Sequence, residues 1–218
     1  AAWRGRTLQE VVALQFGRQP LSARPAHVPD FAHELADEIE ALAREVAEAG
    51  LVVTPTLVTF ATIQGTTCER ITALLAQPEL AYVDPARRRQ WAPERARFRN
   101  GGWSQALPFM SEVLLRSLEL QRALTKAFHA HGVPLLTGTD SPFDLVVPGF
   151  SLHDELEELV RSGLTPLAAL RAATLAPARA WKLADAGTIA PGMRADLVLV
   201  ARDPRADLGA LREVEGVV

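Results

Sequence analysis

The chain has 218 residues, 48% of them hydrophobic, and a formal net charge of −3 at pH 7. This length and apolar content predict a folded protein with a real core and exclude a disordered or fibrous chain. The weakly acidic charge argues against nucleic acid or an anionic membrane as a partner, and no apolar run reaches the length of a membrane span. The single cysteine, Cys68, excludes an internal disulfide and predicts a soluble protein of the reducing cytoplasm.

The first 29 residues are interrupted by three prolines, so no long element is predicted there. Residues 22–28 have the character of a short strand that ends near His27. Two interpretations of His27 stay open: a functional histidine at the end of a strand, or a solvent-facing histidine in a loop.

The next segment predicts one helix followed by one strand. Apolar residues recur at helical spacing from Asp30, a plausible N-cap, to Gly50, a plausible helix end. Residues 51–60 are rich in β-branched side chains and predict a buried strand with Pro55 near its end. Helices that alternate with strands are typical of a parallel sheet with helices outside it, and we therefore predict an α/β fold.

Residues 62–108 predict a long irregular excursion that contains Trp91, Trp103 and a group of arginines, with a short helix within residues 69–77 (ERITALLAQ). An excursion of this length is usually functional or mobile, and in a barrel it would lie over the active-site face. The alternative is a surface insertion with a solvated arginine face. The overall acidic charge argues against nucleic-acid binding by these arginines.

Residues 111–132 predict a second long helix, with Ser111 as its cap and with His129 and His131 near its end. This H-x-H pair resembles a metal motif only in its spacing. Two residues that are two positions apart on a helix face different directions, so we reject the pair as a metal site.

Residues 132–140 predict a buried strand with a carboxylate at its end. The apolar run from Val133 to Leu136 is short and flanked by glycines, and it leads through Gly138 to Asp140. In α/β barrels catalytic groups lie at the carboxyl ends of strands, which makes Asp140 the first candidate site residue. The alternative is that Asp140 caps a turn or a helix.

The remaining chain predicts two helices and then strands. Ser151 and Asp154 have capping-box spacing at the start of the first helix, and Thr165 precedes a second helix that begins with Pro166. Residues 187–200 predict two strands joined around Pro191 and Gly192, with a further strand near residues 215–218.

Three sequence blocks occur in an order and spacing that resemble a known family. They are Gly138-Thr139-Asp140, residues 152–156 (LHDEL), and residues 187–192 (GTIAPG) leading into residues 195–197 (ADL). Together they resemble the C-terminal part of the amidohydrolase superfamily, and the imidazolonepropionase-like and prolidase-like hydrolases are the most similar branch. The resemblance implies that residues 1–185 form part of a (β/α)8 TIM-type barrel, roughly strands 6 to 8, and that residues 186–218 form part of a small β-sandwich.

The resemblance also implies a function and a set of site residues. It implies a metal-dependent hydrolase of carbon–nitrogen bonds, with zinc as the expected metal and an amide, cyclic amide or dipeptide-like small molecule as substrate. Asp140 would bind the metal and accept the proton of the attacking water, and His27 would be a second metal ligand. His153, Trp91 and Trp103 would shape the substrate pocket.

The same resemblance implies metal ligands that have no match in this chain. The family's bridging lysine is one of them, because Lys126 lies inside a predicted helix and Lys182 lies beyond the barrel. We therefore expect this chain to be an incomplete and inactive piece of a longer hydrolase. The alternative is a non-catalytic remnant that acts as an interaction or assembly module, and the sequence leaves open whether the chain forms a homo-oligomer.

Overall fold

A computed structural model describes residues 28–91 and 107–218, and helices predominate within these ranges. The helices are α1 (Phe31–Glu34), α2 (Ala36–Glu48), α3 (Leu57–Thr66), α4 (Arg70–Leu75), α5 (Pro85–Gln90), α6 (Leu107–Ala130), α7 (Ser151–Arg161), α8 (Pro166–Ala173) and α9 (Leu175–Ala180). Two strands, β1 (Val198–Val200) and β2 (Val214–Val217), and two 3₁₀ helices, Pro78–Tyr82 and Leu208–Arg212, complete the described elements. Among these helices, none has both the length and the apolar character needed to cross a bilayer.

Two extended segments, residues 51–56 and 133–139, pair in parallel and will be called the parallel pair. Val53 and Leu135 form the bridge: the Val53 N–H donates to the Pro134 carbonyl at 3.0 Å, and the Leu136 N–H donates to the Val53 carbonyl at 2.9 Å. This confirms the predicted parallel neighbourhood of the two runs. Each predicted strand is reduced to this one bridge, however, and residues 57–60 are helical because α3 begins at Leu57.

Helices α7 and α8 cover the parallel pair with apolar side chains. Leu57 and Leu135 lie in one buried cluster with residues of these helices and of the 3₁₀ helix near residue 208. The remaining members are Leu156, Leu159, Leu164, Ala169, Ala172 and Leu208. Helices therefore lie outside the pair, which is the layering expected of an α/β fold. Burial is confined to the second segment, because Leu51 and Val52 are 53% and 44% exposed, so the prediction of a buried strand at residues 51–56 was wrong.

Helices α1 and α2 replace the single helix predicted from Asp30 to Gly50. The Asp30 carboxylate accepts a hydrogen bond from the His33 N–H at 3.3 Å, which confirms it as a cap, and Gly50 ends the segment with a φ of 63°. Leu35 interrupts the helix between them. Buried Ile39 and Ala43 pack against α6, and His131 pairs with Glu40 at 2.7 Å, which accounts for one ring of the rejected H-x-H pair.

The described part of the predicted irregular region is largely helical. Besides α4, it contains the 3₁₀ helix Pro78–Tyr82 and α5, where the Asp84 carboxylate accepts from the Ala86 N–H at 2.6 Å. Proline follows Asp84 at the first helical position, so a local start signal was present in the sequence. The predicted short helix within residues 69–77 is confirmed by α4, whereas the prediction of irregular structure for the rest of residues 62–91 was largely wrong.

Two predicted helix caps were wrong, and the predicted start of α8 at Pro166 was right. Helix α6 begins before Ser111, so Ser111 is an interior residue. Ser151 is the first residue of α7 and its hydroxyl donates back to the Val147 carbonyl at 2.8 Å, so it forms no capping box with Asp154. Thr165 does cap α8, because its hydroxyl oxygen accepts from the Ala168 N–H at 3.1 Å.

The C-terminal strands β1 and β2 form an antiparallel ribbon, called the ribbon below. Val198 pairs with Val217 and Leu199 with Gly216. The prediction of a strand near residues 215–218 is confirmed, whereas residues 187–192 do not form the predicted first strand of a hairpin with β1. Within the described ranges, β1 and β2 form a two-stranded sheet that no other named strand joins. The β-sandwich therefore remains a prediction.

Candidate functional site

The carboxyl ends of the two parallel segments lie at the same edge, and both turn sharply there. Thr56 has a φ of 52° and Asp140 a φ of 47°, in the left-handed region that non-glycine residues seldom occupy. Asp140 follows a segment in which Leu135 and Leu136 are buried, and Asp140 itself is exposed. It therefore lies at the end of the predicted strand, where its carboxylate is accessible. Backbone strain of this kind is concentrated at functional sites.

Gly138 allows the two segments to approach closely just before Asp140. A Cβ atom at position 138 would lie 2.5 Å from Thr54 Cγ2 and 3.1 Å from Thr56 Cγ2. The hydroxyl of Thr59, in the first turn of α3, donates to the Thr139 carbonyl at 2.8 Å. The peptide that precedes Asp140 is thus held against α3.

A buried carboxylate that sequence reasoning missed, Glu155, lies behind this edge. Its Oε2 accepts from the Val58 N–H at 2.7 Å, and Leu57 also contributes a backbone hydrogen bond. These are the first N–H groups of α3, and Thr56 supplies no side-chain cap for them. One signal was available in the sequence: Glu155 lies four residues before Leu159 and therefore on the buried face of α7.

Burial controls the protonation of Glu155. Burial raises the pKa of Glu155 to about 7 and outweighs the opposite effect of the hydrogen bonds from Val58 and Leu57. The negative charges of Glu158 and Asp140 raise it further. The side chain is fully buried, and its second oxygen, Oε1, has no hydrogen-bond partner among the described residues.

His153 lies in the first turn of α7, and its Nδ1 atom is buried without a hydrogen-bond partner in the described ranges. Burial, followed by the charge of Arg212, lowers the pKa of His153 against the opposing effects of Asp154 and Glu157. The ring is therefore neutral at pH 7, and one of its nitrogens can accept a hydrogen bond while the other donates.

A cavity of about 300 Å³ lies beside the first turn of α7, with Arg212 in its wall. Arg212 Nη2 donates to Asp154 Oδ1 at 2.6 Å, and Glu157 and Glu79 lie within 4 Å of the same guanidinium. The lining residues are Gln77, Pro78, Glu79, Leu145, Val147, Phe150, Ser151, Asp154 and Arg212.

Trp91 packs in a separate buried cluster with α4 and with residues 145–147. Its Nε1–H donates to Asp144 Oδ1 at 2.9 Å, and the Arg87 guanidinium lies 5.9 Å from its ring centre. The indole is therefore a buried, anchored side chain. Its predicted role in substrate binding stays a prediction, as do those of Trp103 and His27, which lie outside the described residues.

The described residues do not by themselves fit a catalytic metal. Within residues 28–91 and 107–218, no group of three or more His, Cys, Asp or Glu side chains could hold an ion. Catalytic zinc sites use three protein ligands. Asp140 is at the expected position for one of them, and we derive no chemical step through a metal from this set.

Comparisons with known proteins agree with the geometry at the family level. The sequence model of the amidohydrolase family matches residues 38–218. Adenine deaminase 1 of Rhizobium meliloti is 42% identical over 66 residues, which cover 30% of this chain and 12% of that protein. Adenine deaminase of Methylobacterium sp. strain 4-46 is 46% identical over 77 residues, which cover 31% of this chain and 14% of that protein.

The chain thus spans only 12% and 14% of the length of these two curated relatives. A crystal structure of an amidohydrolase superimposes with a TM-score of 0.49 and 22% identity. That superposition covers 82% of this chain and 35% of the other.

Proposed function

The chain belongs to the amidohydrolase family, and on that premise we propose that it acts in an enzyme that hydrolyses a carbon–nitrogen bond at the edge where Asp140 lies. The observation that supports this proposal most directly is the parallel bridge between Val53 and Leu135. Carboxyl ends of parallel strands meet at one edge of a sheet, and in α/β barrels that edge is the active-site face.

Asp140 is the proposed proton acceptor. Its carboxylate is exposed at this edge, where it can take a proton from an attacking water and pass it to the leaving nitrogen. His153 is the proposed substrate contact, since its neutral ring can exchange a hydrogen bond with a carbonyl or ring nitrogen. Its position in the first turn of α7 and its buried Nδ1, which has no partner among the described residues, support this role for His153.

We further propose that a divalent metal, with zinc as the expected ion, is held with Asp140 as one ligand. Further ligands would come from outside the described ranges, and His27 is the first candidate within this chain. If so, the purified 218-residue chain should hold zinc weakly and show no turnover. Metal analysis after dialysis tests this. Near-stoichiometric zinc would contradict the expected weak binding, and zinc that Asp140→Asn leaves unchanged would exclude Asp140 as a ligand.

The substrate proposal remains a class of small molecules. Two of the curated relatives are named adenine deaminases, which adds an amino-substituted heterocycle to the amide, cyclic amide and dipeptide-like candidates. Each of these substrates releases ammonia or an amine when its carbon–nitrogen bond is hydrolysed. A cyclic amide is the exception, because its ring opens and keeps the nitrogen in the product. One assay of nitrogen release therefore covers the other classes, including adenine, and detection of the ring-opened product covers cyclic amides.

The test is that assay on protein expressed from the uninterrupted coding sequence, as wild type, Asp140→Asn and Asp37→Asn. Asp37 is an exposed carboxylate on α2 and serves as the matched control. We expect Asp140→Asn to lower kcat/KM by about 10²- to 10⁴-fold, the usual contribution of a positioned acid or base, and Asp37→Asn to leave it unchanged. Normal turnover in Asp140→Asn would exclude the assigned role.

A second candidate function, an interaction or assembly module without catalysis, is favoured by the ribbon. Val198, Leu199 and Val217 are exposed there, and contiguous exposed apolar side chains mark association sites. Sedimentation of wild type and Leu199→Lys over a range of concentrations distinguishes the two candidates. Association that Leu199→Lys abolishes, in a protein without turnover, would favour the module.

A further inference from the structure

Glu155 and Glu158 are both buried on α7, and their surroundings differ sharply. Glu158 is 2% exposed and pairs with Arg122 and Arg161, each at 2.5 Å. Glu155 is 0% exposed, forms no ion pair with any described residue, and leaves Oε1 unpartnered. Burying a carboxyl group without full compensation costs stability. The hydrogen bonding of Glu155 with the start of α3 therefore has to explain why this carboxyl group is buried.

The start of α3 is the partner that compensates Glu155. Thr56 enters this ten-residue helix in the left-handed conformation and supplies no side-chain cap. The carboxylate of Glu155, 97 positions further along the chain, accepts the Val58 N–H in its place. Negative charge at a helix N-terminus is favourable, and burial reduces the screening of that interaction.

A direct series of contacts leads from this cap to the proposed proton acceptor. Val58 is followed by Thr59, whose hydroxyl donates to the Thr139 carbonyl at 2.8 Å. Thr139 immediately precedes Asp140, whose backbone is left-handed and therefore needs support from its neighbours. On the other side, Gly138 lies against Thr54 and Thr56 without room for a Cβ atom.

We propose that Glu155 is a positioning residue for Asp140. It holds the first turn of α3 in place. The hydrogen bond from the Thr59 hydroxyl then holds the peptide that precedes Asp140. The consequence for catalysis rests on the proposed function, whereas the positioning itself is a property of the folded chain. Two separate readouts can therefore test the two parts.

The first readout is the NMR resonance of the Thr139 carbonyl carbon, together with the amide resonance of Val58. We expect Thr59→Val to shift the Thr139 carbon, and Glu155→Ala to shift both signals. Glu155→Gln keeps an acceptor oxygen for Val58 and should restore both to near their wild-type positions. Thr62→Val is the matched control, because Thr59 and Thr62 are each 6% exposed on the same helix, and it should leave the Thr139 carbon unchanged.

The outcomes of this readout are decisive even if one variant fails to fold. A Val58 shift in Glu155→Ala without a Thr139 shift would overturn the proposal, because the cap would then act on α3 alone. If Glu155→Ala does not fold, Thr59→Val and Glu155→Gln decide. The proposal is also overturned if the Thr139 carbon does not shift in Thr59→Val. It is overturned as well if Glu155→Gln, which keeps an acceptor oxygen, shifts the signals of Val58 and Thr139.

The second readout is the kinetics of nitrogen release. A small misplacement of a reacting group costs up to about 100-fold in rate, so we expect Thr59→Val and Glu155→Ala each to lower kcat by about 10- to 100-fold while KM stays within about twofold. The double variant should be no slower than the slower single variant, since both act on one peptide. Additive losses would contradict the proposal. If wild-type protein expressed from the uninterrupted coding sequence hydrolyses none of the substrates, the proposed function fails while the resonances still decide the positioning.

Discussion

Residues 133–136 of the parallel pair and the strands of the ribbon contain similar apolar residues, yet their leucines differ in burial. Leu135 is 6% exposed, whereas Leu199 is 62% exposed. The parallel pair is covered by α7 and α8, and the Thr137 N–H even donates to the Ala172 carbonyl of α8 at 3.0 Å. The ribbon, within the described residues, is held by its own ladder and by exposed ion pairs such as that of Arg202 with Glu213. The local sequence pattern favours an extended conformation in both regions. Coverage by helices decides how strongly a change in one side chain there alters the stability of the fold.

The largest expected difference between the two regions concerns their leucines. Leu135→Ala removes a side chain from the buried cluster and should lower the free energy of unfolding by about 2–5 kcal/mol, from lost burial and the remaining cavity. Leu199→Ala, its counterpart in the ribbon, should change it by less than about 0.5 kcal/mol. Urea denaturation of both variants measures this, and equal losses would contradict the comparison.

The second prediction uses the protonation of Glu155. Its pKa is about 7 in the folded chain against an ordinary value of 4.5, so the folded state binds more protons between these values. The protonated carboxyl stabilises the fold fully below about pH 4.5, and that contribution is lost as the pH rises through 7. By linkage the loss totals about 3 kcal/mol.

Glu155→Gln removes this titration while it preserves the size of the side chain. We expect the free energy of unfolding of wild type to fall between pH 4.5 and 7 more steeply than that of Glu155→Gln, by the same amount. Denaturation at several pH values provides the measurement, and Glu215→Gln, which alters an exposed carboxylate of β2, is the control. Parallel pH profiles for wild type and Glu155→Gln would refute the prediction.

The third prediction contrasts two glycines. Gly138→Ala places a Cβ atom 2.5 Å from Thr54 Cγ2, so side chain or backbone has to move, and we expect a loss of about 1–3 kcal/mol. Gly216→Ala in β2 meets only Leu199 Cβ at 3.9 Å, an ordinary contact, and should be neutral or slightly stabilising. Thermal denaturation of the two variants gives the comparison, and a neutral Gly138→Ala would show that the parallel segments can separate without cost.

The smallest expected effect belongs to the exposed ion pairs of the ribbon. Arg202 contacts Glu213 at 2.7 Å and Asp207 at 2.8 Å, and these contacts lower the pKa values of both carboxyl groups. Exposed pairs are screened by water and salt, so Glu213→Gln should leave the denaturation midpoint unchanged. A clear drop in the midpoint at low salt would show that the ribbon depends on its charges.

The amino-acid sequence by itself determined the features that depend on near neighbours in the chain. The run from Val133 to Leu136 is apolar and flanked by glycines, so its extended conformation and the place of Asp140 at its end could be predicted. Asp30 was predicted as a cap and Thr165 as the residue before a helix, and each accepts a hydrogen bond from an amide three residues later. The family resemblance could also be detected from the sequence, because each of its three blocks is a short continuous segment.

Tertiary structure alone decided the features that depend on distant partners. The strand predicted to reach residue 60 ends at Thr56 because the amides that follow are capped by Glu155 from another helix. β1 pairs with β2 instead of with residues 187–189. The chain reverses direction through the 3₁₀ helix Leu208–Arg212, which brings the backbone of β2 beside β1. Hydrophobic periodicity shows which face of an element is apolar. It does not show which distant backbone group will form a hydrogen bond with a buried carboxylate. That meeting depends on packing, and it placed Glu155 behind Asp140.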